Sequence, residues 1–370
     1  MTVLGSALRF GFGTVSLFAG GWVLRALQGT PASLGAAPAE IMPVARHSPN
    51  FRDGKFVNLE PPSETTGEVQ RALIRDLANA GSHGKPPRPI PLAEPPTAEI
   101  APAAAAATWF GHSSVLIEVD GYRVLADPIW SERCSPSRTV GPQRMHEVPV
   151  PLEALPAVDA VVISHDHYDH LDIDTVIALA RTQRAPFVVP LGIGAHLRKW
   201  GIPESRIVEL DWNESHRIAD LTLVCTPARH FSGRLLTRDT TLWASWVITG
   251  PTNKAFFGGD TGYTKSFAEI GAEFGPFDLT LLPIGAYHPA FSDIHMNPEE
   301  AVRAHLDLAE RDRSLLVPIH WATFRLAPHR WGEPADRLLG ASQVEQVRIA
   351  VPIPGGRVDP ESEFDPWWQL

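Results

Sequence analysis

The sequence predicts an α+β chain in which two β-sheets pack together with helices on the outside. Three observations carry this. Residues 114–119 (SVLIEV) and 122–125 alternate around Asp120-Gly121, a strong hairpin-turn dipeptide. Further short apolar runs follow at 160–163, 221–226, 242–249, 255–257, 279–282 and 315–319. Helical stretches are interleaved with these later runs only. Hairpins first, then strands mixed with helices, fit packed sheets with outer helices rather than a doubly wound parallel sheet.

Each remaining element follows in chain order. Residues 1–30 read as a leader, because 10–24 carry no charge and are flanked by Arg9 and Arg25. A full membrane span needs roughly 20 apolar residues, so this run suits the apolar core of a secretory signal or a weak anchor. Gly35-Ala36-Ala37-Pro38-Ala39 offers small residues for a cleavage site. The expected location is therefore membrane-associated or exported, and cytoplasmic if the leader does not act. Residues 31–107 are rich in proline and alanine and read as an irregular, extended arm with a short helix over 70–80. The alanine run 103–107 ends that arm, and 108–370 is expected to form the principal domain. Asp172 or Asp174 suits the start of a helix through Ile177 and Ala180. Asn297-Pro298-Glu299-Glu300 combines a capping residue, a first-turn proline and acid at the positive end of the helix dipole.

The chain has 370 residues, 44% of them hydrophobic, and a formal net charge of −10. That balance repels polyanions at long range and argues against nucleic acid as a partner. Two isolated cysteines, Cys134 and Cys225, fit neither a disulfide framework nor a metal-spaced pair.

The chemistry concentrates at residues 164–170, Ser-His-Asp-His-Tyr-Asp-His. Imidazole and carboxylate are the ligands that Zn²⁺ and related divalent ions take, and imidazole-rich sites favour zinc. His165 and His167 are two apart, so an extended backbone projects them to the same side. A turn at Tyr168 then brings Asp169 and His170 towards a second ion. His230, Asp260 (in Gly258-Gly259-Asp260) and His320 each follow a predicted strand. Singly, each is more often an ordinary turn or core residue; jointly they complete a ligand set. Asp127, Glu209 and Asp211 are further candidates, as acceptors behind a ligating histidine. His112 and His288 are weighed lower: His112 reads as a turn residue, His288 as one near the site mouth. The tryptophans are assigned to the core by default.

This pattern resembles the metallo-β-lactamase superfamily. The segments SHDHYDHLD, GGDTGY, PIGAY, NPEEAVRAH and IHWATF are similar to its branch that hydrolyses N-acylphosphatidylethanolamine as a phospholipase D. The resemblance spans roughly residues 109–324. It implies a four-layer αββα sandwich with two divalent ions, expected to be Zn²⁺, at the edge between the sheets. It implies His165, His167 and His230 around one ion, Asp169, His170 and His320 around the other, and Asp260 bridging both. It places catalytic groups on Asp169 and His295, and it implies attack on a phosphodiester by a hydroxide shared between ions about 3.5–4 Å apart. The expected substrate is a phospholipid or another small molecule, with membrane-surface contact and a homo-oligomer among the expectations. A soluble substrate such as a lactone fits the same ligands. A non-enzymatic metal scaffold fits less well, because the ligand set is complete.

Overall fold

Side-chain alternation in the first strands shows how the layers are built. In β4 (Ser114–Val119), Val115, Ile117 and Val119 face one apolar core while Leu116 faces another. β5 (Tyr122–Ala126) repeats this with Val124 and Ala126 on one side and Leu125 on the other. So does β6 (Ala160–Val162), with Ala160 and Val162 opposed to Val161. Period-two alternation with both faces apolar places this sheet between two layers.

The computed structural model describes residues 26–94, 103–362 and 365–369. A small hairpin, β1 (Phe51–Arg52) with β2 (Lys55–Phe56), precedes the sheets. The first sheet has seven strands in the order β15-β3-β4-β5-β6-β7-β8. Its other members are β3 (Ala105–Gly111), β7 (Phe187–Pro190), β8 (Ile207–Leu210) and β15 (Arg357–Val358). The second sheet runs β14-β13-β12-β11-β10-β9. It comprises β9 (Ser215–Ile218), β10 (Leu221–Thr226), β11 (Ser245–Thr249), β12 (Lys254–Phe257), β13 (Leu279–Pro283) and β14 (Leu315–Ile319). Helices Ile173–Thr182 and Ile193–Lys199 close the outer core of the first sheet through Val176, Leu179, Ile193 and Leu197. Helix Pro298–Leu308 lies against β13, between helices Ser266–Phe274 and Glu333–Glu345. The expected sandwich of sheets flanked by helices is what forms.

The Asp120-Gly121 turn has both residues at positive φ (+48° and +89°), as a two-residue hairpin turn requires. Asn297 caps its helix as expected, with its side chain accepting from Glu300 N while Glu300 accepts from Asn297 N. Residues 31–94 carry more regular structure than an extended arm. Helix Pro38–Ala45 sends Ile41 and Ala45 into the main core, joined by Phe56 and Ile90. The helix expected over 70–80 is Gly67–Asn79, capped by Thr66, and none of its residues is buried. The alanine run is itself strand, so the boundary expected at 108 falls inside β3. Near the other end, Trp367 and Trp368 pack on Trp321, which also stacks with Trp109. Cys134 and Cys225 are both free and buried. Among the described residues no helix is long and apolar enough to cross a membrane; residues 10–24 lie outside them.

Candidate metal centre

Five strands deliver their C-terminal ends to one edge of the sandwich. β6 leads into His165, His167, Asp169 and His170, and β5 into Asp127. From the second sheet, β10 precedes His230, β12 precedes Asp260 and β14 runs directly into His320. Close approach of the two sheets depends on Gly259. It has φ +57°, and a Cβ there would fall 2.5 Å from Ser164 Cβ. Trp246 also crosses between sheets, its indole N–H donating to Ile163 O at 3.0 Å.

All seven residues expected as ligands come together. His167 Nδ1 lies 2.7 Å from His165 Nε2 and 3.4 Å from His230 Nε2. Asp169 Oδ2 is 3.5 Å from His170 Nε2 and 3.4 Å from His320 Nε2. Asp260 Oδ2 stands between the two groups. It is 3.2 Å from His170 Nε2 and 3.0 Å from His320 Nε2 on one side, 3.9 Å from His165 Nε2 and 3.8 Å from His230 Nε2 on the other. His295 joins at the rim, its Nδ1 3.9 Å from Asp260 Oδ2.

The donor set fits metal. Imidazole nitrogens that face one another with little water between them leave lone pairs in repulsion unless a cation lies among them. Asp260 Oδ1, His170 Nε2 and His295 Nδ1 are buried with no hydrogen-bond partner among the described residues. The ring tautomers are preset as well. His170 Nδ1 donates to Asp127 Oδ2 at 2.7 Å and His230 Nδ1 to Ile294 O at 2.8 Å, which turns each Nε2 inward as an acceptor. Burial would raise the carboxyls of Asp169 and Asp260, but the histidines beside them, His170 foremost, hold both well below the usual carboxylate range. Burial would lower His320, yet Asp260 and Asp169 push it up to about 9. Two carboxylates sunk among imidazoles thus make a place that favours added positive charge. Burial holds His165 and His230 well below their ordinary value, so they are neutral imidazoles able to ligate a cation.

Other residues fall in different places. Asp127 is the acceptor behind the His170 ring, and also takes Ser164 N and Oγ, both at 2.6 Å. Glu209 and Asp211 do not serve that role. Glu209 binds Gly192 N and the Arg198 guanidinium, and Asp211 binds Asn50 and the Trp212 backbone. His112 is more than a turn residue. It does sit at φ +52°, but its Nε2 meets Asp169 Oδ2 at 3.0 Å, and it can join Asp169, His170 and His320 around one ion. His112, Asp127 and His320 all occupy left-handed backbone, a concentration of strain common at functional sites. His288 lines a cavity of about 640 Å³ whose inner wall includes His295.

Two anchors were not anticipated from sequence. Asp166, between the first two ligands, accepts from Gly233 N at 2.6 Å and faces His196 Nε2 at 3.3 Å. Arg234 is buried and donates to the backbone oxygens of Asp166 and Leu171, which flank the other ligands of that loop. The only sequence signal was the short spacing from His230 to Arg234.

This fold and this cluster define a metal-dependent hydrolase. The family description "Beta-lactamase superfamily domain" matches residues 122–321. The chain belongs to that superfamily. An uncharacterized protein of Mycobacterium tuberculosis (strain H37Rv) is 63% identical over 368 residues, covering 98% of this chain and 99% of its own. N-acyl-phosphatidylethanolamine-hydrolyzing phospholipase D 1 of Caenorhabditis elegans is 37% identical over 245 residues, 63% of this chain and 68% of that one. Among solved structures, Igni18, a metallo hydrolase from Ignicoccus hospitalis, aligns with a TM-score of 0.52 and 26% identity, over 70% of this chain and all but 1% of that one (99%).

Proposed function

We propose that the chain is a phosphodiesterase of phospholipase D type, acting on N-acylphosphatidylethanolamine-like lipids with two divalent ions, of which Zn²⁺ suits the imidazole-rich set. The observation that carries the two-ion reading is Asp260 Oδ2, set between two separate groups of ligand atoms. His165, His167 and His230 would hold one ion, and Asp169, His170 and His320 the other. The lipid class is supported by the 37% identity to the nematode phospholipase D. Bound there, the ions would supply a water acidified towards neutral pH and positive charge for the developing oxyanion.

The chain's own groups do the rest. Asp169 Oδ2 accepts from His112, which leaves its carboxylate fixed to orient the attacking water and take its proton. His295 stands between the 640 Å³ cavity and Asp260, placed to donate to a phosphate oxygen. Burial lowers His295 to about 4, so it acts as a neutral donor. The cavity gives the scissile group its entrance.

The test is hydrolysis by the metal-loaded protein in mixed micelles. N-acylphosphatidylethanolamine is compared with phosphatidylcholine and a lactone panel, each with a chelated control. Chelator-sensitive release of N-acylethanolamine is the expected result. Turnover of a lactone with none of the lipid would reassign the substrate to the soluble class.

A further inference from the structure

The loop that follows His230 presents two adjacent leucines to solvent. Leu235 is 65% exposed and Leu236 82%. Single exposed apolar residues are commonplace, but a bare leucine pair at a loop tip beside an active centre asks for a partner. The tip is held firmly. Leu235 has φ +53°, a left-handed conformation that leucine seldom adopts. Leu236 N and Thr237 N both turn back to Arg234 O, at 2.6 and 3.3 Å. The Arg234 guanidinium in turn binds Ser33 O, Asp166 O and Leu171 O. At the base of the loop, the Phe231 ring lies 4.4 Å from the His167 ring, and the Arg238 guanidinium sits 4.4 Å over Phe231. Arg238 is largely exposed and pairs with Asp239 at 3.3 Å.

We propose that this loop is a docking surface for a phospholipid bilayer. Leu235 and Leu236 enter the acyl boundary while Arg238 stays at the level of the phosphates. The inference rests on the lipid-substrate reading above and names the surface that would bring a lipid headgroup to the ligand cluster. Two observations favour a bilayer as the occupant. The tip is anchored to the ligand-bearing loop itself, so whatever it enters is brought beside His167 and His230. The largely exposed Arg238 beside the two leucines also supplies the positive charge that suits phosphates at the rim of such a contact. A second copy of the chain would be a poor occupant, because two leucines fall far short of the roughly 800 Å² per partner that a stable dimer buries.

The experiment reads the loop directly. Cys134 and Cys225 are buried, so a Leu236→Cys protein takes an environment-sensitive fluorophore at the new thiol. The full chain, metal-loaded, is mixed with vesicles of phosphatidylcholine containing a minor fraction of phosphatidylglycerol. The expected result is a blue-shifted, brighter signal at 236 and an unchanged signal for the same label at Val344→Cys, an exposed site on helix Glu333–Glu345. Leu235→Ser combined with Leu236→Ser should weaken vesicle affinity about tenfold or more while metal content and thermal melting stay at wild-type values. An unshifted label while the protein floats with vesicles would overturn the surface, and so would absence of flotation or self-association through the loop. Micellar lipid turnover is read separately. A shifted label without that turnover would keep the surface and remove the substrate reading; turnover with an unshifted label would do the reverse.

Discussion

Asp127→Asn isolates the charge behind a metal ligand. Asp127 Oδ2 accepts from His170 Nδ1 at 2.7 Å and from Ser164 Oγ at 2.6 Å, and Oδ1 accepts from Ser164 N at 2.6 Å. Asparagine tolerates the left-handed backbone at this position (φ +39°), so the main chain need not move. Its oxygen can keep Ser164 N, but its amide then points a donor at the His170 Nδ1 proton. His170 must give up either that contact or the tautomer that turns Nε2 inward. A hydrogen bond to a charged group is worth about 1.5–3 kcal/mol. Loss of such a partner typically weakens metal binding about 10–100-fold, or about 1.4–2.7 kcal/mol. Metal-free stability should fall as well, because Asp127 is one of the carboxylates that hold the buried His170 imidazole well above its ordinary value, and removing one partner of a buried pair leaves the other less compensated. Competition against a chromophoric chelator measures the affinity, and thermal melts of the stripped protein measure the fold. Affinity within about twofold of wild type, with an unchanged melt, would refute the reasoning.

Other expectations follow from single contacts. Asp260→Asn should lose most of its bound metal by elemental analysis, since Asp260 lies between both ligand groups; full loading at wild-type activity would sink the assignment. Burial lowers His305 to about 4, so the unfolded chain binds the extra proton and stability should fall as pH drops from about 6.5 to about 4. His305→Gln, which keeps a polar contact to Thr280, should flatten that limb of a denaturant-midpoint profile; an unchanged slope would exclude His305 as its source. Cys134→Ser with Cys225→Ser should remain metal-loaded and active, because the two thiols donate to Pro142 O and Leu210 O, contacts that a serine hydroxyl can keep; a folded but inactive double variant would contradict this.

The candidate cluster was legible because each member follows an apolar run, and the ends of those strands meet on one edge of two packed sheets. His112 was not legible at its full weight. Its meeting with Asp169 spans 57 residues and depends on a turn whose positive φ brings the ring inward. Alanine is a weak strand former, so β3 read as the end of an arm. It becomes a strand by pairing with β4 on one side and, through Ala107 opposite Val358, with β15 on the other. β7 was missed because FVVP is short and ends in proline, and only its parallel neighbours β6 and β8 fix it. Arg234 carried only its short spacing from His230 as a signal, since its partners are backbone oxygens at residues 33, 166 and 171.

The pairing of β15 with β3 and the packing of Trp367 and Trp368 on Trp321 bear on synthesis. Trp321 adjoins His320, yet the residues that wedge it in place are made more than forty positions later. A nascent chain therefore cannot finish this wall of the metal centre while those residues are still inside the ribosome. β3 must wait, partly unburied, until residues 357–368 have emerged, and that interval is when the chain most needs a chaperone.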